Sequence, residues 1–304
     1  MGRLLYTNNI PFSLKDWEKE SIRSVYAGTD CIMAVTDDGR VLQKCRSDEY
    51  AARCQYWTRI RQIAISKCYP GSAVGLVSDG TCMISKQPVR NTLKSGYRFR
   101  HTFEDINNEV KSWKDIVQVD VSDAFFALDS SGRVHHMHYS QRMGDMDEYA
   151  AVSGWKDVRR IVTGLQSAVF GITNDGRILC AGRNCTQGPH GNMQDVLSKF
   201  TDVLDLCPTG SECEEVIILK KDGTITDCSG TVLFTAPADS LDGVFCYTVM
   251  TKTADGRVLP VMNRNLPDHE INKPVFPENW NVTSFAVGSE WSGNAFVIAV
   301  GERR

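Results

Sequence analysis

Apolar and polar positions along the chain fall into a phrase that keeps returning: a few β-formers, a turn ending in Gly, then an apolar pair. Its first full copy is Ala34-Val35-Thr36-Asp37-Asp38-Gly39-Arg40-Val41-Leu42, and the next is Leu76-Val77-Ser78-Asp79-Gly80-Thr81-Cys82-Met83. It recurs as Leu128-Asp129-Ser130-Ser131-Gly132-Arg133-Val134 and as Ile172-Thr173-Asn174-Asp175-Gly176-Arg177-Ile178-Leu179. The last copies are Leu219-Lys220-Lys221-Asp222-Gly223-Thr224-Ile225 and Thr253-Ala254-Asp255-Gly256-Arg257-Val258-Leu259. Each predicts a hairpin, because Gly supplies the positive φ of the turn and the preceding Asp or Ser suits its start.

Upstream of each turn stands a second phrase, an aromatic followed by spaced β-formers. It reads Trp57-x-x-Ile60-x-x-Ile63, Trp113-x-x-Ile116-x-x-Val119, Trp155-x-x-Val158-x-x-Ile161 and Phe200-x-x-Val203-x-x-Leu206. Weaker versions run Ile22-x-x-Val25-Tyr26-Ala27-Gly28 and Trp280-x-Val282-x-x-Phe285-Ala286-Val287-Gly288. Three-residue spacing also suits a helix, but the β-branched content and the hairpin that follows predict a strand. Each unit is therefore a strand plus a hairpin, a meander that cannot bury its faces alone. Six units are complete. A seventh begins at Trp280 and runs through 294–300, and its missing strand is at the other end, where Gly2-Arg3-Leu4-Leu5-Tyr6 matches Gly39-Arg40-Val41-Leu42. The expectation is an all-β, seven-bladed β-propeller spanning 1–304 as one domain, closed by pairing of the N-terminal strand with the C-terminal blade so that no edge is left open.

The phrase resembles the repeats of the regulator of chromosome condensation family. The best local matches are Ser24-Val25-Tyr26-Ala27-Gly28 with Asp38-Gly39-Arg40-Val41, and Val162-Thr163-Gly164 with Asp175-Gly176-Arg177-Ile178-Leu179-Cys180-Ala181-Gly182. The resemblance covers essentially the whole chain. The family's Trp-Gly after the third strand is Ala181-Gly182 here, and Gln187-Gly188 is at most a remnant of its Gly-Gln-Leu-Gly loop, so the chain reads as a divergent, bacterial-type member. The resemblance implies a propeller working through loops of one face. The family's best-known member is an exchange factor for a small GTPase and uses a protruding β-wedge, so exchange activity is an alternative function.

Charge changes the picture locally more than globally. A net charge of −3 argues against a surface that is a nucleic-acid footprint throughout. The longest insertion, 86–111, is basic in its first half: Lys86, Arg90, Lys94, Arg98 and Arg100 occur with no acid between 86 and 103. Alternation in Tyr97-Arg98-Phe99-Arg100 predicts a ribbon with rings on one face and guanidiniums on the other. Arg90, Lys94, Tyr97, Arg98, Phe99 and Arg100 are therefore the candidate binding residues. They suit an acidic protein partner, with nucleic acid as the alternative. Further candidate loops are 139–153, 183–198 and 262–277.

Other chemistry finds little support. Eleven cysteines without a signal-peptide profile at the start, and without a Cys-x-x-Cys pair, predict free thiols in a reducing cytoplasm. Residue 6 is Tyr, outside the myristoylation pattern, and no apolar run is long enough for a membrane span. His136 and His138 fall on one strand face, where Asp145, Asp147 or Glu148 would have to complete a metal site, and no metal or cofactor is expected. His190, near Cys185, is the one histidine close in sequence to a thiol. No nucleophile elbow or phosphate loop occurs, and carboxylates do not recur at equivalent repeat positions, so no catalytic residues are assigned. Trp17, Trp57, Trp113, Trp155 and Trp280 precede first strands and are expected to pack between blades. The expected function is a non-catalytic, cytosolic protein-interaction module.

Overall fold

In the computed structural model the described residues are all except 1, 8, 47–53, 68–70, 86–100, 140–146, 165–166, 188–190, 211–214, 245–247, 264–273 and 291–293. They form seven antiparallel sheets. After β1 (Arg3–Tyr6), sheet one is β2 (Ile22–Gly28), β3 (Cys31–Thr36) and β4 (Val41–Cys45). Sheet two is β5 (Ile60–Ile65), β6 (Ala73–Val77) and β7 (Cys82–Ile84); sheet three is β8 (Ile116–Val121), β9 (Ala124–Asp129) and β10 (Val134–His138). Sheet four is β11 (Val158–Thr163), β12 (Val169–Thr173) and β13 (Ile178–Ala181). Sheet five adds a fourth strand to the pattern: β14 (Val203–Thr209), β15 (Glu215–Lys220), β16 (Thr224–Thr226) and β17 (Val232–Thr235). Sheet six is β18 (Ala238–Val244), β19 (Thr248–Thr253) and β20 (Val258–Asn263). Sheet seven takes β21 (Trp280–Ser289) and β22 (Ala295–Arg303) from the C-terminal end and β1 from the N-terminal end, with Leu4 opposite Val300 and Tyr6 opposite Ile298.

The helix-like spacing of the first-strand phrase has a simple cause. Between Ile60 and Gln62 the register of β5 against β6 shifts by a bulge at Arg61. The extra residue lets Ile60 and Ile63, three apart, both point into the core at 1% exposure. The same bulge recurs in all seven first strands, at Arg23, Arg61, Val117, Arg159, Leu204, Asp239 and Thr283.

Seven apolar clusters fill the spaces between sheets, one of them joining sheets seven and one through Leu14, Trp17, Val25, Phe296 and Ile298. Trp17, Trp57, Trp113 and Trp155 sit in these clusters as expected, and Phe200 takes the same place before sheet five. Trp57 lies on the strand face at Gly75, where a Cβ would come within 2.7 Å of the indole. Trp280 departs from expectation. It is half-buried at the start of β21, and Phe276 fills the space between sheets six and seven instead.

The turn glycines serve two needs at once. Gly176 has φ +82, and a Cβ there would meet the backbone of Asp202 at 2.9 Å. Asp202 itself has φ +56 and leads into the next sheet. Val203 N donates to Gly176 O (3.1 Å) and joins the two segments, while Lys221 N donates to Asp202 O (2.8 Å) within sheet five. Equivalent bonds join the turns at Gly39, Gly80 and Gly132 to Ile60, Ile116 and Val158 at the entry to the next sheet.

Outer edges are covered differently from sheet to sheet. The second half of the long insertion, to which the sequence pattern assigns no element, is a helix: α1 (Phe103–Ser112) starts at a capping box between Thr102 and Asp105 and buries Ile106 and Val110 against sheets two and three. Phe103 therefore belongs to that helix. A short 3-10 turn (Ala150–Gly154) covers β10, while α2 (Arg183–Gln187) and α3 (Met193–Leu197) cover β13. One thiol expectation is corrected too. Cys31 and Cys45 face each other across β3 and β4 with Cα atoms 4.2 Å apart and are joined as a disulfide. Among the described residues Cys82, Cys180, Cys207 and Cys228 are free thiols. Among the described residues no helix is long and apolar enough to cross a membrane.

Candidate functional site

The first strands of the seven sheets line a channel of about 340 Å³. The residue after each bulge is polar in every sheet: Ser24, Gln62, Gln118, Arg160, Asp205, Ser240 and Ser284. Most of these side chains are bonded to the sheet that follows. Gln62 donates to Val119 O (3.2 Å) and accepts from Val119 N (3.2 Å). Gln118 does the same at Ile161, donating at 2.6 Å and accepting at 2.9 Å. Asp205 accepts from Leu241 N (2.9 Å), and Ser284 accepts from Val25 N (3.2 Å), which ties sheet seven to sheet one. Arg160 instead grips Asp205 through Nε and Nη2 at 2.6 and 2.8 Å. That carboxylate holds the guanidinium above its ordinary pKa despite burial.

Two residues further along, carboxylates do recur at equivalent positions, contrary to expectation. Asp120 accepts from Thr163 N (2.8 Å) and Asp242 accepts from Val287 N (2.8 Å), each reaching the next sheet. The sequence held this signal at a fixed offset from the bulge, but residues of different type share the position and hide it. Burial raises the pKa of Asp120. Lys67, just past β5, bonds the carboxylate of Asp242 and donates to Gly243 O (2.5 Å), linking sheets two and six. Burial opposes the Lys67 charge, and Asp242 more than restores it, so its pKa is raised. Deep beside them, burial pushes the Cys207 thiol up to about 12, and does the same to Cys82 in β7, so both of these thiols stay protonated at neutral pH.

Of the expected binding residues, Arg90, Lys94, Tyr97, Arg98, Phe99 and Arg100 all lie outside the described residues. So do Asp145 and His190. His136 and His138 do share a face, both packing on the buried ring of Tyr149. Their carboxylate partners differ: His136 Nε2 is 3.1 Å from Asp147, and His138 Nε2 is 3.8 Å from Asp123. Asp123 is already bonded by Tyr149 Oη (2.5 Å), Ser122 Oγ (3.0 Å) and Ser167 Oγ (3.0 Å). Burial lowers the His138 pKa and raises that of Tyr149 well above its ordinary value. Among the described residues no group of three His, Cys, Asp or Glu is placed to hold a metal ion.

Comparison with known proteins adds the fold. No family model matches the chain, and no curated protein matches its sequence. Solved structures do. Yeast RCC1 (Prp20), in its complex with Kap60, matches with a TM-score of 0.60 at 13% identity, covering 96% of this chain and 82% of that one. Prp20p from Saccharomyces cerevisiae, in a structure described with its binding properties to Gsp1p and histones, matches with a TM-score of 0.58 at 12% identity, over 96% and 84%. At that identity the likeness speaks for architecture alone: this chain has an RCC1-like β-propeller fold.

Proposed function

We propose that this chain is a non-catalytic, cytosolic protein-interaction module, built on a seven-bladed ring closed between sheets seven and one. Closure is supported by the pairing of β1 with β22, by the Val25–Ser284 bond and by the apolar cluster shared by the two sheets. The observation that carries the functional reading is the use of the channel's polar groups. Gln62, Gln118, Asp120, Asp205, Asp242 and Ser284 each bond the backbone of the next sheet, so the bore is occupied with holding blades together. Function then falls to the faces, as rigid scaffolds arrange it. The likeness to a fold whose solved examples are described with Kap60, Gsp1p and histones supports a protein as partner.

The test is a pull-down from nuclease-treated lysate of the native cell, comparing wild type with Lys94→Glu/Arg98→Glu/Arg100→Glu by mass spectrometry. A partner lost only from the variant supports the reading and its loop. Recovery of only nuclease-sensitive material sinks it in favour of nucleic acid. The same likeness supports a second reading, nucleotide exchange on a small GTPase. Accelerated release of a fluorescent nucleotide from a GTPase of the native cell would establish it, and release at the intrinsic rate would remove it.

A further inference from the structure

The bulge residues stand one position before the polar residues along the channel, and these seven positions are called its rim below. Three of the seven are arginines, in sheets one, two and four: Arg23, Arg61 and Arg159. Each lays Nη2 on main-chain carbonyls of the following sheet. Arg23 donates to Ile60 O (2.8 Å), Arg61 to Ile116 O (3.0 Å) and Val117 O (3.2 Å), and Arg159 to Val203 O (2.5 Å) and Leu204 O (2.9 Å). None has a carboxylate partner among the described residues.

Several other cations of the molecule pair with carboxylates. Arg40 pairs with Asp38 and Glu20, Arg59 with Asp79, Arg177 with Asp175, Arg257 with Asp255, Arg160 with Asp205 and Lys252 with Asp239. The three rim guanidiniums rest on main-chain carbonyls instead, with no carboxylate within ion-pair distance among the described residues. Between Arg61 and Arg159 stands Val117, 44% exposed and one of the few large apolar side chains left open. The arc is thus basic at its ends and apolar in its middle. Its guanidiniums are already held in place, so little side-chain entropy remains to be lost on pairing with a planar carboxylate.

We propose that this arc of the rim, Arg23–Arg61–Val117–Arg159, docks an acidic polypeptide segment whose carboxylates flank an apolar side chain. This rests on the protein-interaction reading above and gives it a surface and a partner chemistry. Exposed Val117 favours a polypeptide over a polyphosphate, which would present nothing apolar to cover it.

The probe is a fluorescein-labelled peptide of repeated Glu-Leu-Glu units, titrated by fluorescence anisotropy at two salt concentrations. Wild type is expected to bind more weakly at the higher salt. Arg23→Gln/Arg61→Gln/Arg159→Gln is expected to weaken binding roughly tenfold. Its amides can still donate to the same carbonyls, as Gln62 and Gln118 do, so its melting midpoint should hold. Should the triple variant fold poorly, Val117→Glu decides, since the site is exposed and a carboxylate there would occupy the arc. That variant should lose binding to a similar degree, while Arg177→Gln should stay within about twofold. The proposal is overturned if wild type does not bind, if Val117→Glu binds as wild type does, or if Arg177→Gln is as damaging as the triple variant. Tripolyphosphate competing as well as unlabelled peptide would overturn the polypeptide assignment. A lysate partner retained by Val117→Glu would leave the interaction reading standing and remove only this surface.

Discussion

At the residue scale the repeat is a chemical device centred on the turn. In Thr36-Asp37-Asp38-Gly39-Arg40, Thr36 Oγ1 donates to Asp38 and accepts from Arg40 N (3.0 Å), and the same arrangement returns at Thr173–Arg177 and Thr253–Arg257. Hydrogen bonds from Thr36 and Arg40 hold Asp38 at a pKa of about 2, and Arg177 with Thr173 does the same for Asp175. Burial opposes the shift at Asp129, but Ser131 and His135 still bring it to about 2. A depressed carboxylate contributes stability above its unfolded pKa, near 4, that is lost as pH falls toward the folded value. Melting midpoints measured from pH 6 to pH 2 should therefore drop steeply below about pH 4. Asp175→Asn should start lower and drop less. The glycines were legible from sequence as turns, but not their second constraint, because the clash is with the entry to another sheet. Gly176→Ala combines φ +82 with a 2.9 Å contact, and should cost about 2 kcal/mol or more in denaturant unfolding.

At the element scale, strand identity was legible because β-branched residues and the following hairpin outweighed the three-residue spacing. The bulge behind that spacing was not, since it exists only against the partner strand. The same holds for the stitching side chains. Gln118, Asp205 and Ser284 share no residue type, only a reach to the next sheet's backbone. Arg160 marks the costliest of these contacts, because Asp205 is 1% exposed. Arg160→Ala would leave that carboxylate buried without its cation, and should destabilise by about 3–5 kcal/mol in urea unfolding. Arg160→Lys should recover only part, lacking the two-pronged grip. The helix α1 was missed for a local reason: its capping box begins at Thr102, just after a basic stretch whose alternation suggests strand.

At the scale of the whole molecule, seven units were legible because the N-terminal strand phrase supplies what the C-terminal unit lacks. The binding loop chosen from sequence lies outside the described residues, so the rim arc stands independently of it. If β1 seals sheet seven, a chain lacking residues 1–6 should lose Leu4 and Tyr6 from the cluster between sheets seven and one and bare the edge of β22. Unfolding experiments should show a loss of about 3 kcal/mol or more, and sedimentation should show association through the open edge.

The Lys67–Asp242 pair has a mechanical consequence. Most bonds between sheets run to the next in sequence, so strain at one would pass around the perimeter link by link. This one is a crossbar between sheets that are not consecutive. While it holds, two neighbouring sheets can part briefly without the far side following, and such breathing stays local. Once it breaks, a half-buried ammonium and a half-buried carboxylate lose each other together, and the whole perimeter is free to unroll. The molecule should therefore tolerate small openings and fail in one step.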